Sequence, residues 1–201
     1  MIIPSGRYDW AMNIETQHRK KDPVRLYRQL LESAATIAGR DGIAALSLNA
    51  VAFEAGVSKG GLLHHFPNKQ ALIFALFARL LAIMEEAISA LMAADKTAYG
   101  RFTRAYLHYL SAPELTDTQE SRQLMVLSLA MPDEPVLRQC WRDWMLAHLA
   151  QGDELDNGHT GTLVRYAADG IWLSELTEGR TMSTEHRQAL VRTLHNMTLP
   201  T

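Results

Sequence analysis

The chain has 201 residues, of which 47% are apolar and 21% charged. That is ordinary globular composition with length for one large or two small domains, and it excludes a disordered or fibrous chain. The net charge of −2 conceals a split: residues 1–70 hold nine Lys and Arg against six Asp and Glu, and residues 71–201 hold eleven against sixteen. A basic front on an acidic body points to a partner for the front that bulk charge alone hides.

A single cysteine, Cys140, excludes an intrachain disulfide and any site that needs several thiolates. No apolar run approaches the ~18–20 residues that a spanning helix needs. The opening MIIPSGRYDWAMNIETQHRKK carries its charge late and lacks the apolar stretch of a secretory signal, so a reducing cytoplasmic location is expected. Met12 is a second candidate start. No cofactor and no metal are expected.

Residues 1–21 read as a polar arm ending in His18-Arg19-Lys20-Lys21, either a tail or a basic arm against nucleic-acid phosphates. Beyond it the chain reads as all helix. Asp22-Pro23 opens a first helix with an N-cap and a proline in its first turn, and Leu26, Leu30, Ala34, Ile37 and Ala38 recur at helical spacing until Arg40-Asp41-Gly42. Ser47 caps a short second helix that turns Val51, Ala52 and Ala55 inward and stops at Gly56. Ser58 caps a third through about His65, and Asn68 caps a long fourth from Lys69 to about Ala93. Further helices are expected at roughly 97–111, 117–130, 133–150, 159–178 and 183–197, with starts at Thr116-Asp117, Asp133 and Ser183 and stops at Pro113, Pro132 and Gly179.

The segment SLNAVAFEAGVSKGGLLHHFPNK, residues 47–69, carries the functional signal. Two short helices joined by the tight turn Ala55-Gly56-Val57 have helix-turn-helix geometry. Val51, Ala52, Val57, Leu62 and Phe66 form a small core with the first helix, which leaves Lys59, Gly60 and His64 outside, with Gly61 and His65 beside them. Two glycines at a helix start cost about 1 kcal/mol each relative to alanine. They mark either a frayed start or a helix end that must approach DNA closely. Lys59 suits a phosphate or a guanine edge. Adjacent His64 and His65 point about 100° apart, which disfavours a shared metal ion and leaves each free to donate to a phosphate; His65 alternatively packs under the fourth helix.

GVSKGGLLHHFPNKQAL, residues 56–72, resembles the signature of the TetR/AcrR family of bacterial transcriptional regulators, and LESAATIAGRDGIAALSLNAVAFEA before it is similar to that family's first two helices. The resemblance implies an all-α fold with eight to nine helices: a helix-turn-helix DNA-binding head at 22–68 and an effector-binding and dimerisation domain at 69–201. It implies a homodimeric, ligand-responsive repressor of operator DNA, with base or phosphate contacts from Ser47, Asn49, Lys59, Gly60, Gly61, His64, His65 and Lys69. Gly61 stands where the family often has a small hydroxyl residue, and Leu63 and His65 stand where it often has aromatics. Leu63 has no hydroxyl to offer a phosphate.

The body carries no motif. The segments 102–109 and 141–145 are rich in aromatics, which read either as core or as the wall of an effector cavity. Met84, Phe102, Tyr106, His108, Met125, Trp141, Trp144, Met145 and Trp172 are the candidates for contact with a small apolar or cationic effector. The resemblance assigns the dimer interface to the last two long helices, with Leu163, Tyr166, Ala167, Gly170, Ile171, Leu190 and Leu194 as candidates. No GxGxxG, GxxxxGK, GxSxG or HExxH pattern is present, so an enzyme is not expected.

Overall fold

The computed structural model describes residues 22–112, 126–129, 133–178 and 182–200, and among them there are helices and no strand. Helix α1 (Pro23–Asp41) starts as its sequence predicts: the Asp22 carboxylate accepts from the N–H groups of Val24 and Arg25 at 3.1 and 3.2 Å, and Pro23 fills a first-turn position that needs no donor. After a 3₁₀ turn at Ile43–Ala45 come α2 (Leu48–Glu54), α3 (Lys59–Leu63) and α4 (Lys69–Ala94). Their caps are local as well. Ser47 Oγ accepts from Ala50 N, Ser58 Oγ from Gly61 N, and Asn68 Oδ1 from Ala71 N. Gly56, at φ +64, supplies the left-handed residue that turns α2 into α3, a conformation only glycine takes without strain.

Leu30, Ala34, Ile37, Val51, Ala52, Ala55, Leu62, Phe66 and Leu72 make one buried core from α1 to the start of α4, with Val57 packed against it. Gln29 Nε2 adds a 2.8 Å donation to Ala55 O, tying α1 to the turn. The 26 residues of α4 span about 39 Å at 1.5 Å per residue, carrying the same core from head to body.

In the body, α5 (Arg101–Ser111) is buried almost all round and packs on both α4 and α8 (His159–Glu178). It starts later than residue 97 because the chain before it wraps the buried Arg104 guanidinium. Nε donates to Asp95 at 2.8 Å, Nη2 to Thr97 O at 2.7 Å, and Nη1 to Tyr99 O and Thr198 O at 2.7 and 2.8 Å. Gly100 turns there at φ +70, and a Cβ on it would lie 2.9 Å from Leu155.

Helix α6 (Pro135–Gln151) begins two residues after the expected Asp133, with proline again in the first turn. The one-turn helix α7 (Glu154–Asn157) is too short for periodicity to announce. Asp153 caps it, and Asp156 and Arg165 pin it to α5: Thr103 N donates to Asp156 Oδ1, and Arg165 Nη1 donates to Thr103 Oγ1 and Asp156 O. The chain closes with α9 (Thr184–Asn196), capped by Ser183. Of the helix expected at 117–130, only 126–129 is described, and it is helical. The arm at 1–21, Met125, and the markers Pro113, Thr116, Asp117, Pro132 and Gly179 lie outside the described residues.

Candidate DNA-binding surface and effector cavity

On α3 the inward side chain is Leu62, followed by Phe66, both buried; Lys59, Gly60, Leu63 and His64 face out. Ser47 and Asn49 lie exposed at the start of α2, with the Ser47 hydroxyl engaged in its cap. The two remaining candidates are partly committed within the head. His65 is half-buried, with its ring centroid 6.0 Å from Tyr27 of α1 and 6.4 Å from Phe66. Lys69 Nζ donates to Ile43 O at 3.4 Å, tying the start of α4 to the 3₁₀ turn.

The two glycines differ. A Cβ on Gly60 would meet nothing within 4 Å, so packing does not demand glycine there; one on Gly61 would lie 3.3 Å from the Ser58 hydroxyl that caps the helix. Gly60 is therefore a bare, outward patch at the start of an exposed helix, the surface a close backbone or phosphate approach requires.

The body encloses a cavity of about 270 Å³. Its walls are Leu80 and Met84 of α4, Tyr106, Tyr109 and Leu110 of α5, Ser128, Trp141 of α6, and Asp169, Gly170, Trp172 and Leu173 of α8. Spacings of three and four place the α5 trio on one face of its helix. Four sequence candidates, Met84, Tyr106, Trp141 and Trp172, thus line it. Phe102, Trp144 and Met145 do not. Phe102 stacks on His148 (4.5 Å, 2°) and Trp144 on Trp141 (5.3 Å), which makes an aromatic layer beside the cavity, while Met145 packs on the core. His108 is exposed. It acts on His195 of α9, an imidazole held below its ordinary range by burial first and then by the charges of Arg104 and His108.

Two polar residues of the cavity wall, Asp169 and Tyr109, are absent from the sequence candidates. The Tyr106 hydroxyl donates to Asp169 Oδ1 at 2.5 Å. Burial pushes the Asp169 carboxyl above its ordinary range, against the opposing pull of the Tyr106 bond and of Arg165. Burial likewise pushes Tyr109 up to about 12, and its buried hydroxyl has no hydrogen-bond partner among the described residues. An orphaned buried hydroxyl costs about 1–3 kcal/mol, so its presence at a cavity wall points to a ligand that completes it. One signal was available in the sequence: Asp169 is the lone charge in AADGIWL.

The aromatic layer is also bonded to α4. Trp144 Nε1 donates to Glu85 Oε2 at 2.8 Å, His148 Nε2 lies 2.7 Å from the same oxygen, and Ser89 Oγ donates to Oε1. Burial raises the Glu85 carboxyl, and the bonds to His148, Ser89 and Trp144 outweigh it, leaving the group below its ordinary range. The wall at α6 is thereby attached to the helix that enters the head.

On α8, Leu163, Tyr166 and Gly170 face solvent, and Leu173 extends them into an apolar stripe. Ala167 and Ile171 are half-buried beside it. Leu190 and Leu194 of α9 are half-buried, and Leu194 packs on the core of the same chain.

A helix-turn-helix head joined by one long helix to a helical body with an aromatic cavity is the arrangement of a DNA-binding transcriptional regulator. Comparison with known families agrees. Residues 30–76 match the model for bacterial regulatory proteins of the tetR family, and residues 100–199 match the tetracyclin repressor-like C-terminal domain. The chain belongs to the TetR family, whose members are DNA-binding regulators and not enzymes. Solved structures share the fold at low identity. A transcriptional regulator from Rhodococcus sp. Rha1 is 20% identical, covering 86% of this chain and 95% of that one, with a TM-score of 0.63. The SmeT–triclosan complex is 18% identical (87% and 90% covered, TM-score 0.65). The multidrug binding protein EbrR complexed with ethidium is 21% identical (84% and 97% covered, TM-score 0.62).

Proposed function

We propose that this regulator is a homodimeric repressor, released from its operator by a cationic, largely aromatic small molecule. The observation that carries the effector class is Asp169, a carboxylate set among Tyr106, Tyr109, Trp141 and Trp172 in the cavity wall. Aromatic faces and one half-buried carboxylate favour an apolar cation over a neutral or anionic ligand of the same size. EbrR, similar in fold, is complexed with ethidium. The exposed α8 stripe supports pairing of two copies, which places two α3 helices on a two-fold operator about 34 Å apart.

In this reading residues 22–68 are the DNA-binding head and 69–201 the sensing and dimerising body. Ser47, Asn49, Lys59, Gly60 and His64 present the DNA face, with His65 and Lys69 at its flank. Ligand in the cavity bears on Leu80 and Met84 of α4 and, through Trp141 and the Glu85 contacts, on the α4–α6 packing. It favours a placement of α4 in which the two heads no longer fit adjacent major grooves, a population shift set by differential affinity.

Fluorescence anisotropy with DNA from upstream of the protein's own gene tests this. Log affinity should fall linearly with log salt, and tetraphenylphosphonium, an aromatic cation too bulky to intercalate, should release the DNA. Tetraphenylphosphonium that binds without changing DNA affinity would remove the sensing role, and a flat salt response would remove the DNA role. In the same assay Lys59→Ala should weaken binding about ten-fold. Its melting temperature should stay at the wild-type value, because Lys59 is exposed. Unchanged DNA affinity would take Lys59 out of the interface.

A further inference from the structure

We propose that Tyr109 sets the ligand specificity of the cavity as a hydrogen-bond donor. The effector then carries, besides its positive charge and apolar body, an acceptor oxygen about one helical turn from the charge. This rests on the cationic reading of the cavity and adds a second group that the ligand must have. Two tyrosines of α5, Tyr106 and Tyr109, line the cavity, and their hydroxyls stand in opposite states. The Tyr106 O–H is already spent on Asp169 Oδ1 at 2.5 Å. Tyr109 is 0% exposed, and its buried hydroxyl has no partner among the described residues. Burial pushes that hydroxyl up to about 12, so at neutral pH it keeps its proton and remains an O–H donor.

A ligand completes this donor better than water does. A water held in a cavity needs about two to four polar partners, and the wall is largely apolar, with Leu80, Met84, Leu110 and Leu173 in it. A ligand oxygen needs only the one donor, because the apolar body that carries it suits the rest of the wall. The gain also exceeds that at an exposed hydroxyl. An exposed donor gives up a water to bond a ligand, whereas this one sheds the cost of an unmade bond. Spacing sets the shape of the ligand. Tyr106 and Tyr109 are three positions apart on one helix, with Cβ atoms about 5–6 Å apart, and Asp169 is bonded to the Tyr106 end. A carbonyl oxygen and a quaternary nitrogen stand in that relation in a choline ester.

Two permanent cations of equal chain length test this on the full chain by titration calorimetry. Benzoylcholine carries the carbonyl, and (4-phenylbutyl)trimethylammonium has carbon in place of both ester oxygens. The wild type is expected to bind benzoylcholine about ten-fold more tightly than its all-carbon counterpart. Tyr109→Phe should bind the two equally, with wild-type affinity for the all-carbon cation. Infrared spectra supply a reading that needs no variant: in the wild-type complex the ester carbonyl band of benzoylcholine should lie below its frequency in an apolar solvent. Equal affinity of the wild type for both cations overturns the donor role and leaves the cationic cavity standing. A preference for benzoylcholine that survives in Tyr109→Phe, or an unshifted carbonyl band, does the same. A wild type that binds neither cation overturns the cationic reading and this proposal with it.

Discussion

Asp169→Asn should lower ethidium affinity at pH 7 at least ten-fold, about 1.4 kcal/mol, while thermal stability holds or rises. The two effects separate because the carboxylate serves the ligand and not the fold. Burial raises its folded-state pKa above the ordinary 3.8, so the ionised group opposes folding. That cost is fully present above the raised folded pKa and disappears as pH falls below the unfolded value. The asparagine carbonyl can still accept from the Tyr106 hydroxyl, which now donates to Asp169. The stability difference between variant and wild type should therefore shrink in acid, and wild-type ethidium affinity should fall as Asp169 takes up its proton. Titrations at pH 7 and at pH 4 measure both. Tyr109→Phe is the companion: it deletes a hydroxyl with no partner among the described residues, so the melting temperature should not fall. Ethidium affinity left intact by Asp169→Asn would show that the cavity does not select for charge.

Arg104→Met should cost about 3–5 kcal/mol of stability, read from denaturant midpoints by circular dichroism. The guanidinium is 4% exposed and serves Asp95, Thr97 O, Tyr99 O and Thr198 O at once. Methionine fills much of the volume and leaves those acceptors without their donor. The Asp95 carboxyl lies below its ordinary range: burial raises it, and the Thr97 N–H, Arg104 and Arg101 outweigh burial. Its contribution is thus present above about pH 4 and lost as pH falls through the depressed folded value, so wild type should lose more stability than the variant on acidification. Operator affinity of the protein that stays folded should not change, because Asp95 and Thr198 sit beyond the end of α4 opposite the head. A loss below 1 kcal/mol would mean that water replaces the guanidinium at no cost.

The head was legible because its signals are local. Asp22, Ser47, Ser58 and Asn68 each cap the N–H groups two or three residues on, and Gly56 turns the chain within one residue. The same locality recovered α8 at 159–178 and the Ser183 start of α9. It failed at residues 97–100, where a helical stretch is unwound by a guanidinium that bonds as far away as Thr198, 94 positions along the chain. Nor does it name the ring of another helix, Tyr27, that lies 6.0 Å from His65.

The cavity was only partly legible for the same reason. Aromatic enrichment located the right segments, yet spacing within a helix does not say which neighbour each face meets. Tyr109 and His108 are adjacent in sequence; α5 is packed on two sides, and the fold buries the first at the cavity and exposes the second. Phe102 stacks on His148 and Trp144 meets it edge-on beside the cavity, while Asp169 enters it through a bond to Tyr106 across 63 positions. The amino-acid sequence by itself determined an all-helical chain with a helix-turn-helix head, because caps, turns and helical periodicity act over three or four residues. Only the tertiary structure decided where a charge faces a cavity and which apolar stripe is left bare, because those depend on contacts between helices far apart along the chain.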